Sequence, residues 1–306
     1  MHLEILRHDG PARLGRLHFN DLAYPTPSLL WNTAAGDAPK GYLKISPFTG
    51  AGADDETLIE YGTIFSEPNI DEFGILPSFP TGFNTPLEIA REAVAETLRV
   101  ADIHPGFGAV LEGGKYLELR REGAEYLRDR PIVEVAQADR LVRNHRKLVE
   151  VLTDARETLS PNTALYMPGV PPHLFAVLAY IGVDLFDLRS AVLGAHEGRY
   201  LTLRGVFNQS ELTELPCPCG MCISSDAADL DFKALLSHNL WVSIATVREI
   251  RVALRMGGLR NLVEERVQSD INAMGALRIL DRVKADFLEQ HTQISPIFTR
   301  INSGGR

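Results

Sequence analysis

No stretch of about eighteen consecutive apolar residues occurs in the chain, so the sequence offers no membrane-spanning helix. The opening, "MHLEILRHDGPARLG", lacks a basic segment followed by an apolar core and a small-residue cleavage site, which argues against secretion. Cysteine is scarce, with three in 306 residues. An odd, small number argues against a disulfide framework and for a reducing, cytoplasmic setting. There is no internal repeat, no low-complexity segment and no GxGxxG turn of a dinucleotide-binding sheet. Net positive charge is also missing: the formal charge is −9. Nucleic-acid binding therefore has to rest on a local basic face, because the whole-chain sum does not decide it.

What remains is an ordinary globular composition, 45% hydrophobic and 23% charged, in a chain long enough for one large α/β barrel or two modest domains. Residues 1–85 are rich in Pro and Gly, and "GYLKIS" and "YGTIFS" read as strands between turns. "TPLE" marks a helix start, with Thr85 as N-cap, Pro86 at the first helical position and Glu88 closing a capping box. A regular alternation then begins. "FGAVLE", "PIVEVA", "TALYMPG" and the start of "VDLFDLRSAV" read as strands. "KYLELRREGAEYL", the long "ADRLVRNHRKLVEVLTDARETL" and "PPHLFAVLAYIG" read as the helices between them, and helices return from about 227 to 292. Such βαβ spacing without a dinucleotide turn favours a barrel of the TIM type.

All three cysteines fall in "LPCPCGMC", as Cys217, Cys219 and Cys222. C-x-C-x-x-C spacing, with Pro218 and Gly220 between, lets one loop aim three thiolates at one ion. Zinc takes a fourth ligand, and Cys₃His is a common structural set. His238 in "LLSHNLW" is the nearest downstream histidine, and His196 is the weaker upstream alternative. A closed four-ligand site leaves no place for a reactive water, so the expected Zn²⁺ is structural.

"LPCPCGMC" followed by "LLSHNLWVSIATVREIRVAL" resembles the zinc subdomain of the tRNA-guanine transglycosylase superfamily, particularly its archaeal members. "PGVPPHLFAVLAYIGVDLFDLRSAVLGAHEGRYLTLRG" and "GAVLEGGKYLELRREGAEYL" are similar to the family's glycine turn, "FD" strand and base-recognition strand, and "DGPARLGRLHFNDLAYPTPSLLW" resembles its opening hairpin. The resemblance implies a (β/α)₈ TIM-type barrel, partly degenerate, with a β-rich segment at 1–85, the main barrel at 86–306 and an inserted zinc subdomain at about 208–245. It implies Asp187 as the carboxylate that attacks ribose, and Glu112, Gly113, Gly114 and Gly169 as substrate-binding positions. The family's "TDSGSFQ"-like signature is absent, its base-reading glutamine is Glu112 here, and its "GGL" turn is replaced by "EVAQADRL".

That pattern is nearest to the archaeosine synthase branch, which acts on a cyano-deazaguanine already in tRNA and converts its nitrile to an amidine. The implied partners are tRNA and a second subunit, either one carrying the downstream synthase portion or a radical-SAM protein; a homo-oligomer is a further expectation. Two other readings stay open, base exchange through Asp187 and a non-catalytic tRNA-binding subunit. Arg248, Arg251 and Arg255 form one basic stripe at helical spacing and are the expected RNA contacts. Arg140, Arg143, Arg146 and Lys147 form a second stripe, read as a solvated face.

Overall fold

The computed structural model describes residues 1–47, 56–62 and 73–291. Its first element is a three-stranded antiparallel sheet, β1 (His2–Asp9), β2 (Ala12–Phe19) and β3 (Leu22–Thr26), turned at Gly10–Pro11 and Asn20–Asp21. Eight short parallel strands follow: β4 (Ser28–Asn32), β5 (Lys44–Ser46), β6 (Thr57–Glu60), β7 (Gly74–Ile75), β8 (Ala109–Leu111), β9 (Ile132–Val135), β10 (Ala164–Tyr166) and β11 (Leu185–Asp187). Each pairs with its sequence neighbour except at two seams. β11 returns to β4 in parallel, and β7 meets the start of β8 through Leu76 N–H to Gly108 O at 2.9 Å and Gly108 N–H to Gly74 O at 3.0 Å. The sheet therefore closes into the expected TIM-type barrel.

Period-two alternation explains how the strands divide their side chains. Leu29, Trp31, Leu111, Val133, Val135, Leu165 and Phe186 face the surrounding helices, while Leu30, Leu58, Ile75, Val110, Ile132, Ala164, Tyr166 and Leu185 fill the barrel. Leu3, Leu17 and Phe19 of the N-terminal sheet join that inner cluster, so this sheet caps the barrel at the strand N-termini. Arg13 fastens it there: its Nε donates to Asp184 Oδ1 at 3.0 Å, and its guanidinium also reaches Pro161 O and Thr163 O. Arg156 lies on the same aspartate at 3.7 Å, and burial, then Arg13, pulls its pKa down to about 9.

The second half of the barrel carries the helices: α1 (Leu87–Ile103), α2 (Leu117–Tyr126), α3 (Ala138–Leu141), α4 (His145–Thr158), α5 (Phe175–Ile181) and α6 (Arg189–His196). Among the described residues, the connections between β4 and β7 hold no α-helix, only a 3₁₀ turn at Thr33–Ala35. A two-stranded ribbon, β12 (Arg199–Leu201) with β13 (Val206–Asn208), and the short α7 (Gly220–Ile223) lead into the 25-residue α8 (Phe232–Met256). Asp231 caps α8 by accepting from Ala234 N–H at 2.8 Å, and Gly257, at φ 71°, ends it in the left-handed region. Three further helices, α9 (Leu259–Arg266), α10 (Ile271–Val283) and α11 (Ala285–His291), pack on the barrel exterior.

Two local readings change, and a third lies mostly outside the described residues. Thr85 does not cap α1: Pro86 occupies the N-cap position, and no side chain bonds the first turn. The single helix read over 138–159 is two, because Asn144 leaves helical geometry and caps α4 by accepting from Lys147 N–H at 3.1 Å. "GYLKIS" yields β5, but "YGTIFS" lies mostly outside the described residues, and the strand before it is Thr57–Glu60.

Candidate functional site

Alternation carries the barrel's inward rows up to its C-terminal rim, and there they turn polar. Leu58 is followed inward by Glu60, Val110 by Glu112, Ile132 by Glu134, and Leu185 by Asp187, with Tyr166 between the last two. This is the end of a TIM barrel at which strands present reactive groups.

Asp187 is 1% exposed and both its oxygens are fully engaged. Oδ1 accepts from Gly169 N–H at 2.8 Å and Arg189 N–H at 3.1 Å. Oδ2 accepts from Tyr166 Oη at 2.8 Å and faces Arg189 Nε at 2.7 Å. The other end of the Arg189 guanidinium pairs with Glu60 and reaches Tyr166 Oη at 3.3 Å. Although burial opposes its charge, Tyr166, Asp187 and Glu60 raise the Arg189 pKa, so it stays a cation. Burial, then the neighbouring Asp187, pushes the Tyr166 phenol well up, which keeps it a donor. Glu60 is raised by burial despite Arg189.

Glu112 accepts from Ser78 Oγ at 3.1 Å, and burial raises its carboxyl against the pull of Arg120. The Gly113–Gly114 turn beside it is held by Arg120, whose guanidinium donates to Gly114 O, Leu111 O and Ala136 O at 2.9–3.1 Å. Gly113 has φ 138°, and a Cβ there would stand 2.7 Å from Arg120 Cγ, so this position requires glycine. Glu134 is raised well above the ordinary carboxyl range by burial and then by Glu60.

The structure thus brings Asp187, Gly169, Glu112, Gly113 and Gly114 to one rim, with direct contact between the first two. Glu60, Glu134, Tyr166 and Arg189 are rim residues that sequence reading missed. Two-residue steps from the apolar positions of each strand were the available signal.

The second constellation lies beyond β12. Cys217, Cys219, Cys222 and His238 bring their ligand atoms within 4.8 Å of one another. His238 is fully buried, and its Nδ1 stands 3.3 Å from Cys222 Sγ and 3.6 Å from Cys219 Sγ. Its Nε2 donates to Leu201 O at 2.8 Å, which leaves the Nδ1 lone pair directed at the sulfurs. A metal-binding histidine commonly has this second-sphere bond. Tyr200 stacks on the ring at 3.8 Å and its hydroxyl lies 3.2 Å from Cys222 Sγ. Burial pushes the Cys217 thiol up to about 12 and raises Cys222, so thiolates here need a cation beside them. Donor set, tautomer and spacing fit a tetrahedral ion. His196 stands apart from this group, its ring against Phe232. The small core around the cluster also takes in Ala195, Tyr200, Leu230, Ala234 and Leu235.

On α8, Arg248 and Arg255 are exposed. Arg251 is half-buried and donates to Pro27 O at 2.7 Å, tying the helix to the start of the barrel. In the other stripe, Arg140 pairs with Asp139 and Lys147 with Glu150 at 3.3 Å each, while Arg143 and Arg146 are exposed. No helix of the described residues is long and apolar enough to cross a membrane.

Comparison with known proteins adds an independent finding. The family model described as queuine tRNA-ribosyltransferase matches residues 83–271. Proteins named tRNA-guanine(15) transglycosylase are similar to this chain. The one from Methanococcus maripaludis strain C7 is 28% identical over 249 residues, 73% of this chain and 38% of the relative. Those from Haloferax volcanii and Methanosarcina barkeri are each 31% identical, over 63% and 59% of this chain and 40% and 39% of their own length. The chain therefore spans less than half the length of the curated relatives it matches.

Proposed function

The chain belongs to the queuine tRNA-ribosyltransferase family, and from that premise we propose that it acts on tRNA at a guanine-derived nucleotide, in the manner of archaeosine synthase rather than by exchanging the base. The observation that carries this reading is the state of Asp187. A carboxylate that attacks ribose needs a free lone pair aimed at C1′. Here four donors cover both oxygens, and one of them is a guanidinium that also pairs with Glu60. The same carboxylate is well suited to anchoring the rim around a base that is already modified. The missing "TDSGSFQ"-like segment supports the same reading.

In this reading the nitrile-to-amidine conversion of a cyano-deazaguanine in tRNA draws on a second subunit. Glu112, Gly113, Gly114 and Gly169 surround the base, and the exposed Arg248 and Arg255 approach the phosphates. Cys217, Cys219, Cys222 and His238 hold a Zn²⁺ that supplies structure alone, since four protein ligands close its tetrahedron. Base exchange through Asp187 is the second reading. The names of the relatives favour it, and so does the position of Asp187 at the end of its strand.

The deciding experiment supplies archaeal tRNA bearing either guanine or the cyano-deazaguanine at the target site. Incorporation of radiolabelled base and addition of lysine are measured for wild type and Asp187→Ala. The archaeosine-synthase reading expects no exchange in either protein, and lysine addition that depends on a partner. Exchange by wild type that disappears in Asp187→Ala sinks it in favour of the transglycosylase reading.

A further inference from the structure

Two carboxylates at the barrel rim have an oxygen with nothing to bind. Glu112 and Glu134 are 5% and 8% exposed, and Oε2 of each is buried without a hydrogen-bond partner. Both belong to inward rows, above Val110 and Ile132, and Val110 sits opposite Glu134 in the β8–β9 register. A buried acceptor left unpaired costs about 1–3 kcal/mol, more when it is charged. Native structures seldom carry two side by side without a use for them.

The rest of the rim shows how a carboxylate pair is satisfied here: Asp187 and Glu60 share the guanidinium of Arg189. Glu112 and Glu134 have no such bridge. Arg120 acts on Glu112 through space, but its N–H groups are given to three backbone carbonyls and to Gln137 Oε1. Ser78 Oγ, from beyond β7, donates to Oε1 of Glu112, and the Gly113 N–H also acts on this carboxylate, while Oε2 is left without a partner. The charged groups acting on Glu134 are Glu60, Arg189, Asp187 and Glu112, three acids against one base that is already paired.

We propose that Glu112 and Glu134 together form a binding site for a cationic nitrogen group with at least two N–H donors, carried by a ligand that enters the barrel mouth. A metal ion suits the position less well. Among the described residues, the only group of three or more His, Cys, Asp or Glu side chains whose donor atoms converge within 4.8 Å is the cysteine–histidine cluster. A planar amidinium or guanidinium, or an ammonium, bridges carboxylates set further apart, as Arg189 does across the rim. Since burial holds both carboxyls toward the protonated form, the arriving cation displaces protons. The cation is either a free small molecule or a substituent on an RNA base, and the site stands whether or not tRNA is the substrate.

Calorimetric titration of the full chain at about pH 8 with methylguanidinium, ethylammonium and the N–H-free tetramethylammonium tests the site. At least one of the first two binds with proton release, and tetramethylammonium does not. Glu112→Gln and Glu134→Gln each weaken binding about tenfold or more, and wild-type affinity falls toward about pH 5 as the carboxyls keep their protons. A second arm compares tRNA carrying a neutral or an aminomethyl-bearing deazaguanine. A preference for the charged base that Glu134→Gln removes assigns the cation to RNA. The proposal is overturned if neither free nor RNA-borne cations show dependence on Glu134, or if tetramethylammonium binds as well as the others. Should Glu134→Gln not fold, the wild-type pH series and the tetramethylammonium comparison decide. Loss of all tRNA binding strikes the tRNA reading alone, since the free-cation arm is unaffected.

Discussion

Replacing His238 with alanine tests the metal centre at its most buried ligand. Without any metal, the substitution removes the N–H that satisfies Leu201 O, a buried carbonyl, at about 1–3 kcal/mol. It also removes the ring stacked 3.8 Å from Tyr200, worth about 0.5–1.5 kcal/mol beyond area burial. The part that needs no metal is therefore about 1.5–4.5 kcal/mol. An ion held by four ligands adds a larger share, because structural zinc binding in small domains is on the order of 10 kcal/mol. The damage should be local, since the small core around the cluster is separate from the two that fill and surround the barrel. Trp241 lines a cavity beside Cys217, Pro218 and His238, and the only other tryptophan, Trp31, is buried in the barrel. In a Trp31→Phe background, Trp241 fluorescence follows this unit alone during thermal unfolding, with and without a strong chelator. Chelation should lower the wild-type transition strongly and leave His238→Ala nearly unchanged, as expected for two perturbations of one site. Equal chelator shifts in both proteins would refute His238 as a ligand. A wild type without bound zinc after metal-replete preparation would refute the centre itself.

Three other outcomes follow from the described contacts. Asp184→Asn should cost about 3–5 kcal/mol in urea unfolding, because it strands Arg13 and Arg156 in the floor of the barrel. Gly113→Ala should destabilise by at least about 1–3 kcal/mol and weaken any ligand binding at the rim, since both φ and the Arg120 side chain oppose a Cβ. For pH, the native Glu112 and Glu134 keep protons that the unfolded chain releases near 4.5, so their contribution to stability is present below that value and is lost as pH rises through the raised folded pKa values. Replacing both with Gln should flatten that fall, measured as unfolding midpoints across the acid-to-neutral range.

Most of the barrel's second half was legible because each strand there is an apolar run followed by a periodic helix. "PIVEVA" and "VDLFDLRSAV" fell where expected, as did the cysteine loop, whose spacing carries its own chemistry. The first half was harder to read. β7 is two residues long and β6 reads "TLIE", so neither offers enough period to stand out from the surrounding turns. Glu60 and Glu134 were passed over for a related reason. A single acid in a short apolar strand reveals its direction only once the inward parity of its neighbours is known. Arg189 stood out in no motif, because its meaning depends on Asp187 and Glu60, which are far apart in sequence. The break at Asn144 was readable in principle, since asparagine before "HRK" is a cap signal, but the apolar periodicity on both sides masked it.

The adjacent residues His238 and Asn239 point about 100° apart around α8. His238 meets the cysteines. Asn239 grips β12, accepting from Leu201 N–H at 3.0 Å and donating to Arg199 O, and also donates to Ala191 O at 3.2 Å in α6. Because α6 begins at Arg189, one turn of α8 joins the metal cluster to the helix that bears the rim's guanidinium. Through this joint the Cys217, Cys219, Cys222 and His238 cluster bears on the placement of Arg189, so an ion bound there would help fix the guanidinium that bridges Asp187 and Glu60.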